Sequence, residues 1–287
     1  MHRSSDKRIW FPTFAIQPNT MRLAIAASNC DIELWDGQFG VHIQTFLKSG
    51  ETSSLAFLPG DAYLASGCRN GIIRLWNIVT GMQIQTFEGH SLDINCLSAS
   101  QSKPQLVSAS DDGTVRVWDT EEAKCLFTLK SHYRVLSVAF LADETRLIAG
   151  TQDGHFQLWD ITTGAEIWSY RLSSYKEGIV MSSDGKWLAA PSIYENVAIF
   201  DVTHLDTMKF DDPAFTLKTG VINSISLSPD GKHLVSCSSS TGVVSWWDVQ
   251  SGECLRNLNH TVVRSAAFSS NGTYIVSGIA ILQYTLI

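Results

Sequence analysis

Charge is scarce in this sequence and is nowhere gathered. Asp, Glu, Lys and Arg make up 17% of the 287 residues, and 21 basic residues are dispersed against 28 acidic ones for a net charge of −7. Without a basic block or stripe, the footprint of a nucleic-acid binder is missing, and so is any attraction to acidic membrane surface. No apolar run approaches the ~18 residues that a spanning helix requires. The six cysteines (Cys30, Cys68, Cys96, Cys125, Cys237 and Cys254) stand alone, with no C-x-x-C pair and no histidine at ligand spacing. That argues against zinc, and single cysteines inside apolar strands read as small buried hydrophobes. The opening residues, MHRSSDKRIWFPTFAIQPN, lack the apolar stretch of a secretory signal, so an intracellular, cytoplasmic protein is expected, with the sequons at Asn259 and Asn271 unused.

Catalytic signatures are missing too. There is no H-E-x-x-H, no G-x-S-x-G, no paired-carboxylate cluster and no phosphate-cradling G-x-x-x-x-G-K. The expectation is a non-enzyme without metal or cofactor. No segment of ten or more residues shows a helical period, which leaves an all-β chain.

What is present is a repeat. Short segments ending in an aromatic plus Asp or Asn recur as DIELWD, IIRLWN, TVRVWD, FQLWD, VAIFD and VVSWWD, with the aromatic at Trp35, Trp76, Trp118, Trp159, Phe200 and Trp247. Successive spacings are 41, 42, 41, 41 and 47 residues. Within each unit, four short β-rich runs are divided by Gly, Asp, Ser and Pro, as in GHSLDINCLSAS, QLVSAS, DDG, TVRVWD and KCLFTL. Turns such as PDGKHL and SDGKWL put Gly where a positive φ is cheap. The period, the EGH at 88–90 and the terminal WD together resemble the WD40 family, and the resemblance covers nearly the whole chain.

That resemblance implies a β-propeller in one domain spanning 1–287, with about seven blades of four antiparallel strands and third strands ending near 35, 76, 118, 159, 200, 247 and 287. The tail, SGIAILQYTLI, falls in register as the third strand of a seventh blade with Ile287 in the tryptophan slot; the fourth strand is missing. The nine residues before Trp10 are too polar to make a closing strand. An incomplete ring, a fragment of a longer repeat protein and an altered end are the alternatives.

The family pattern also implies a buried hydrogen-bonded tetrad of His90, Ser108, Asp112 and Trp118, with Ser110 as an alternative hydroxyl. A partial one is implied at His132, Thr151, Asp153 and Trp159. Ser, His and Asp together suggest a hydrolase triad, but an indole occupying the serine hydroxyl makes a structural role the expectation. Blades three and four should then be the rigid sector, with blades five to seven opening most easily. Partners of this family often dock on the face built by the loops between strands d and a and between b and c. The matching residues are Trp10, Arg69, Asp93, Asp111, Arg134, Tyr175, Glu177 and Arg264. A six-residue insertion within 202–217 marks a loop on the opposite face.

The function implied is a non-enzymatic scaffold or ligand-sensing module for protein or peptide partners, within a longer chain or a multi-protein complex. The units resemble the WD arrays of larger scaffold or NACHT-type sensor proteins. The alternatives are a substrate receptor of a ubiquitin ligase, although no F-box-like helical segment precedes the repeats, and an enzyme using the propeller channel.

Overall fold

The repeat unit folds as a four-stranded antiparallel meander. The computed structural model describes residues 13–278 apart from 18–19, 21, 28–29, 38, 172–178, 183–185, 192–195, 203–212, 220, 239, 260–262, 264, 269–271 and 273–274. Blade 1 comprises β1–β4 (Phe14–Ile16, Arg22–Ala26, Ile32–Asp36, Val41–Phe46), and blade 2 comprises β5–β8 (Thr52–Phe57, Tyr63–Cys68, Ile73–Asn77, Gln83–Phe87). Blade 3 comprises β9–β12 (Ile94–Ala99, Gln105–Ser110, Thr114–Asp119, Lys124–Lys130), and blade 4 β13–β16 (Val135–Phe140, Arg146–Thr151, His155–Asp160, Ala165–Arg171). Blade 5 comprises β17–β20 (Val180–Met181, Trp187–Pro191, Asn196–Asp201, Phe215–Lys218), and blade 6 β21–β24 (Ser224–Leu227, His233–Ser238, Val243–Asp248, Cys254–Asn259). A two-stranded sheet, β25–β26 (Ser265–Phe268, Ile275–Gly278), follows.

Six four-stranded blades are therefore described, not seven. The stretch expected to form the third strand of a seventh, 279–287, lies outside the described residues, as does most of the 202–217 insertion. Even so, the two-stranded sheet is not left exposed on both sides. Val263, Ala266, Phe268 and Ile275 pack with Val235, Cys237 and Val244 of blade 6. Val276 packs with Leu23 and Ile25 of blade 1. Side-chain packing thus brings β26 against blade 1; the polar residues before Trp10, which argued against a closing strand, lie outside the described residues.

The tryptophan period has a simple packing origin. In every four-stranded blade a leucine on the second strand pairs with the aromatic ending the third: Leu23 with Trp35, Leu64 with Trp76, Leu106 with Trp118, Leu147 with Trp159, Leu188 with Phe200 and Leu234 with Trp247. These aromatics face the neighbouring sheet. Trp118 shares a core with Phe87, Ile73 and Leu75 of blade 2, and Trp76 shares one with Phe46 and Leu34 of blade 1. Second strands are buried on both faces, so they read as near-continuous apolar and small residues.

The Asp after the tryptophan has a separate task. Its carboxylate accepts backbone N–H groups of the following turn: Asp119 from Glu121 (2.9 Å) and Glu122 (2.8 Å), Asp160 from Thr162 (2.7 Å) and Thr163 (3.1 Å), Asp248 from Ser251 (2.7 Å). Asn77 does the same for Val79 and Thr80, which explains why WN substitutes for WD in blade 2. The Thr162 hydroxyl (2.6 Å) together with these N–H bonds holds the Asp160 carboxyl below the ordinary aspartate range, and the Ser251 N–H does the same for Asp248.

First strands are stitched to one another across blades. Ser54 Oγ accepts the Leu97 N–H at 2.9 Å, Ser137 Oγ accepts the Ile179 N–H at 3.0 Å, and Ser226 Oγ accepts the Phe268 N–H at 3.3 Å. In blade 3 the slot holds Cys96, whose Sγ donates to the Val138 carbonyl at 3.6 Å. Each stitch answers for a backbone group that would otherwise be buried and unpaired.

Candidate protein-docking face and the polar chains beneath it

In blade 3 the loop entering β9 lays His90 over β10. Its Nε2 lies 2.7 Å from Ser108 Oγ, its Nδ1 lies 2.9 Å from Asp112 Oδ2, and the Trp118 indole donates to Ser108 Oγ at 2.8 Å. Burial pushes the His90 imidazole below its ordinary value, and the Asp112 carboxylate only partly offsets this. A neutral imidazole has one donor and one acceptor. Because a carboxylate only accepts, Nδ1–H donates to Asp112 and Nε2 accepts a hydrogen bond from the Ser108 hydroxyl. One chain of donors therefore runs from Trp118 through Ser108 and His90 to Asp112. Burial pushes the Asp112 carboxyl up, but bonds from Thr114 (2.6 Å from its hydroxyl), His90 and the Ser91 N–H outweigh it and leave the carboxyl low.

The glycine before His90 suits the same packing. Gly89 has φ +156°, and a Cβ there would lie 2.6 Å from the Arg116 guanidinium, which itself sits over the Trp118 ring. As a nucleophile Ser108 is badly placed: the residue is fully buried and its oxygen is already shared by an indole and an imidazole.

Blade 4 departs from the expected arrangement. Thr151 Oγ1 donates to Asp153 at 2.7 Å, but the histidine on that carboxylate is His155, at 2.6 Å, and His132 stands exposed away from it. The cause lies in two positions. His155 occupies the place of Thr114 and claims the aspartate, stacking on Tyr133 with ring centroids 5.6 Å apart. Ala149 occupies the place of Ser108, so no hydroxyl is there to hold a histidine Nε2 or the Trp159 indole. Among the described residues the Trp159 N–H is buried without a partner. Where the serine is kept, the indole uses it: Trp76 donates to Ser66 and Trp247 to Ser236, both at 2.9 Å. Blade 5 needs none, because Phe200, which has no N–H, stands in the tryptophan place and Ala190 in the serine place.

Around this layer, equivalent residues of blades 2, 3 and 4 form a charged rim. The Arg69 N–H donates to the Glu51 carbonyl, Asp111 to Asp93, and Gln152 to Arg134, each at 2.9 Å. These shared bonds place the six side chains in matching positions where the second and first strands meet. Between blades 3 and 4, Arg134 pairs with Asp111 at 3.2 Å, and Asn95 Nδ2 holds the other Asp111 oxygen at 2.8 Å while also donating to the Val135 carbonyl. Between blades 2 and 3 the polarity is reversed: Glu51, Arg69, Asn70 and Asp93 line an open recess of about 390 Å³. Of the docking residues expected from sequence, Arg69, Asp93, Asp111 and Arg134 thus come together on one rim. Trp10, Tyr175, Glu177 and Arg264 lie outside the described residues.

One organising residue gave no sequence signal. Glu144, at φ +49° in the turn between β13 and β14, reaches back to the corresponding turn of blade 3. Its carboxylate accepts from Ser100 Oγ at 2.9 Å, from the Ser102 N–H at 3.0 Å and from the Ser102 hydroxyl. Although burial opposes it, this cradle holds the carboxyl low. It lies on the end of the disc away from the rim.

The radial four-stranded meanders, the Leu–aromatic register and the His–Ser–Asp–Trp chain define a WD-repeat β-propeller. The model of the WD domain, G-beta repeat, matches residues 40–77, 81–119, 123–160, 212–248 and 252–280, and the chain belongs to that family. It is 25% identical to Apoptotic protease-activating factor 1 of Homo sapiens over 276 residues, covering 79% of this chain and 21% of that protein. It is 26% identical to WD repeat-containing protein slp1 of Schizosaccharomyces pombe, covering 80% and 48%. To Nuclear distribution protein PAC1 of Arthroderma benhamiae it is 24% identical, covering 88% and 66%. The chain thus spans between about a fifth and two thirds of the length of these relatives.

Proposed function

We propose that this chain is a non-enzymatic scaffold that docks a protein or peptide on the rim of blades 2 to 4, within a larger assembly. The observation that carries the reading is the division of labour among its polar residues. The buried His90–Ser108–Asp112 chain is consumed by internal hydrogen bonds. Arg69 and Asp93 line an open recess between blades 2 and 3, and Arg134 stands exposed at the matching position between blades 3 and 4, where it pairs with Asp111. Rigid backbone stitches beneath them fix the spacing of those side chains, which is the pre-organisation that binding needs. Arginine is also a common energetic anchor at interfaces. On the same reading, β25–β26 are the first two strands of a seventh blade, supported by their packing between blades 6 and 1.

The test is quantitative recovery of bound proteins by the wild type and by Arg69→Glu and Arg134→Glu. The scaffold reading expects selective loss of the same partner or partners from both variants, with melting temperatures close to wild type. Unchanged recovery by both would remove the rim as the docking face, and hydrolytic turnover by the purified chain would overturn the non-enzymatic reading.

A further inference from the structure

The fourth strands of the blades form the outer wall of the disc, and they are not alike. In blades 1, 2, 3, 4 and 6 the pairing of the third and fourth strands slips by one residue beside the aromatic, leaving Ile43, Ile84, Leu126, Ile167 and Leu255 as the extra residue of a β-bulge. Bulges and charges are the devices by which edge strands avoid pairing with other chains. Blades 3, 4 and 6 carry both, with Lys124 and Lys130, Glu166 and Arg171, and Arg256 on β12, β16 and β24. Blades 1 and 2 carry the bulge alone. Residues 37–47 and 75–87 contain no Asp, Glu, Lys or Arg.

These two uncharged segments also hold a concentration of exposed apolar side chains: Phe39 (70%), Val41 (57%), Ile43 (41%), Val79 (82%), Met82 (66%) and Ile84 (49%). They adjoin, because Gln44 of β4 packs against Gly81 in the turn before β8, where a Cβ would fall 1.9 Å from the Gln44 amide. The six residues expose on the order of 700 Å² together, side chain and backbone, close to the ~800 Å² that each partner gives to a stable interface.

We propose that the outer rim of blades 1 and 2 is where two copies of this chain meet. Charge permits a second copy as occupant, and the exposed area and self-complementarity of the rim argue for one. At a net charge of −7, two copies repel across most of their surfaces. The uncharged rim lets them meet without opposing like charges. A two-fold interface must be complementary to itself, which an uncharged strand edge with aliphatic side chains satisfies.

Sedimentation equilibrium of the 287-residue chain at micromolar to hundred-micromolar concentration tests this. A reversible dimer is expected, tightened by added salt, which screens the repulsion between acidic copies. Ile43→Lys with Ile84→Lys, and separately Val79→Glu, should weaken it at least tenfold. Leu255→Lys, at the matching bulge of blade 6, should leave it unchanged. Circular dichroism and melting of each variant separate loss of association from loss of fold, and these exposed positions should leave both at wild-type values. A chain monomeric throughout that range overturns the proposal and leaves the patch to a different partner. A dimer indifferent to the blade 1 and 2 substitutions overturns it by placing the contact elsewhere.

Discussion

His90 Nδ1 lies 2.9 Å from Asp112 Oδ2 in a site where the imidazole side chain is fully shielded from solvent. Because burial outweighs the carboxylate, the folded protein favours the neutral ring. Between its lowered pKa and the unfolded value of about 6.5, the unfolded chain binds more protons than the folded one, so stability rises with pH there. The contribution is complete above about 6.5 and is lost as the pH falls below it. Asp112, held low, adds stability that is present above about 4 and is lost on further acidification. Urea unfolding from pH 7.5 to 5 should therefore show falling stability, with a shallower slope in His90→Gln. A His90→Gln slope equal to wild type would refute the assignment.

Restoring the hydroxyl missing from blade 4 should stabilise the protein. Ala149→Ser supplies the partner that Ser66, Ser108 and Ser236 supply to their indoles, and a satisfied buried hydrogen bond is worth about 1 kcal/mol. For a chain of this size that corresponds to a rise in melting temperature of roughly 2–4 °C. The same change at Ala190, in the blade whose third strand carries Phe200 in place of tryptophan, offers a hydroxyl to no indole and should destabilise. Equal effects at the two sites would show that the indole bond is not the cause.

Removing an inner stitch should be costly despite its small size. Ser54→Ala leaves the buried Leu97 N–H without its acceptor, and the loss is expected at about 1–3 kcal/mol in chemical denaturation. Ser53, next to it and partly exposed, has a single hydroxyl proton to share between the Gly67 and Ile94 carbonyls, and a carbonyl tolerates the loss of a donor better than an N–H tolerates the loss of its acceptor. Ser53→Ala should cost less. A reversed order would contradict the stitching account.

Hydrogen exchange should rank the blades. Blades 3 and 4 are joined by Asn95, Cys96, Glu144 and the Asp111–Arg134 pair, and blade 3 has the complete polar chain. Their second-strand amides should exchange slowest. Amides of β17–β18 and β25–β26 should exchange first. Slowest exchange in the latter group would reverse the hierarchy.

Much of this architecture was legible because packing imposes a period. A radial sheet needs one large aromatic per blade at one place, so Trp35 to Trp247 announce the blades, and the Asp or Asn that follows announces a turn. The four residues of the blade 3 chain were legible on other grounds, through their match to the family pattern. Blade 4 was not, because its polar cluster depends on two coupled exchanges, Thr114 to His155 and Ser108 to Ala149. Each looks innocuous alone, but together they move the histidine and orphan an indole. The Ser54, Ser137 and Ser226 stitches were hidden for another reason: a serine within an apolar strand looks the same whether it faces solvent or a neighbouring blade's N–H. Glu144 acts through a left-handed backbone that no residue type announces.

The central claim is that Ser108, His90 and Asp112 form a structural device and not a catalytic one. A double-mutant cycle of Ser108→Ala and His90→Ala, read by urea unfolding at pH 7.5, tests it most directly. The account predicts that each single change costs about 1–3 kcal/mol and that the pair couples by at least about 0.5 kcal/mol. Unchanged stability in Ser108→Ala, with independent effects of the two residues, would contradict it.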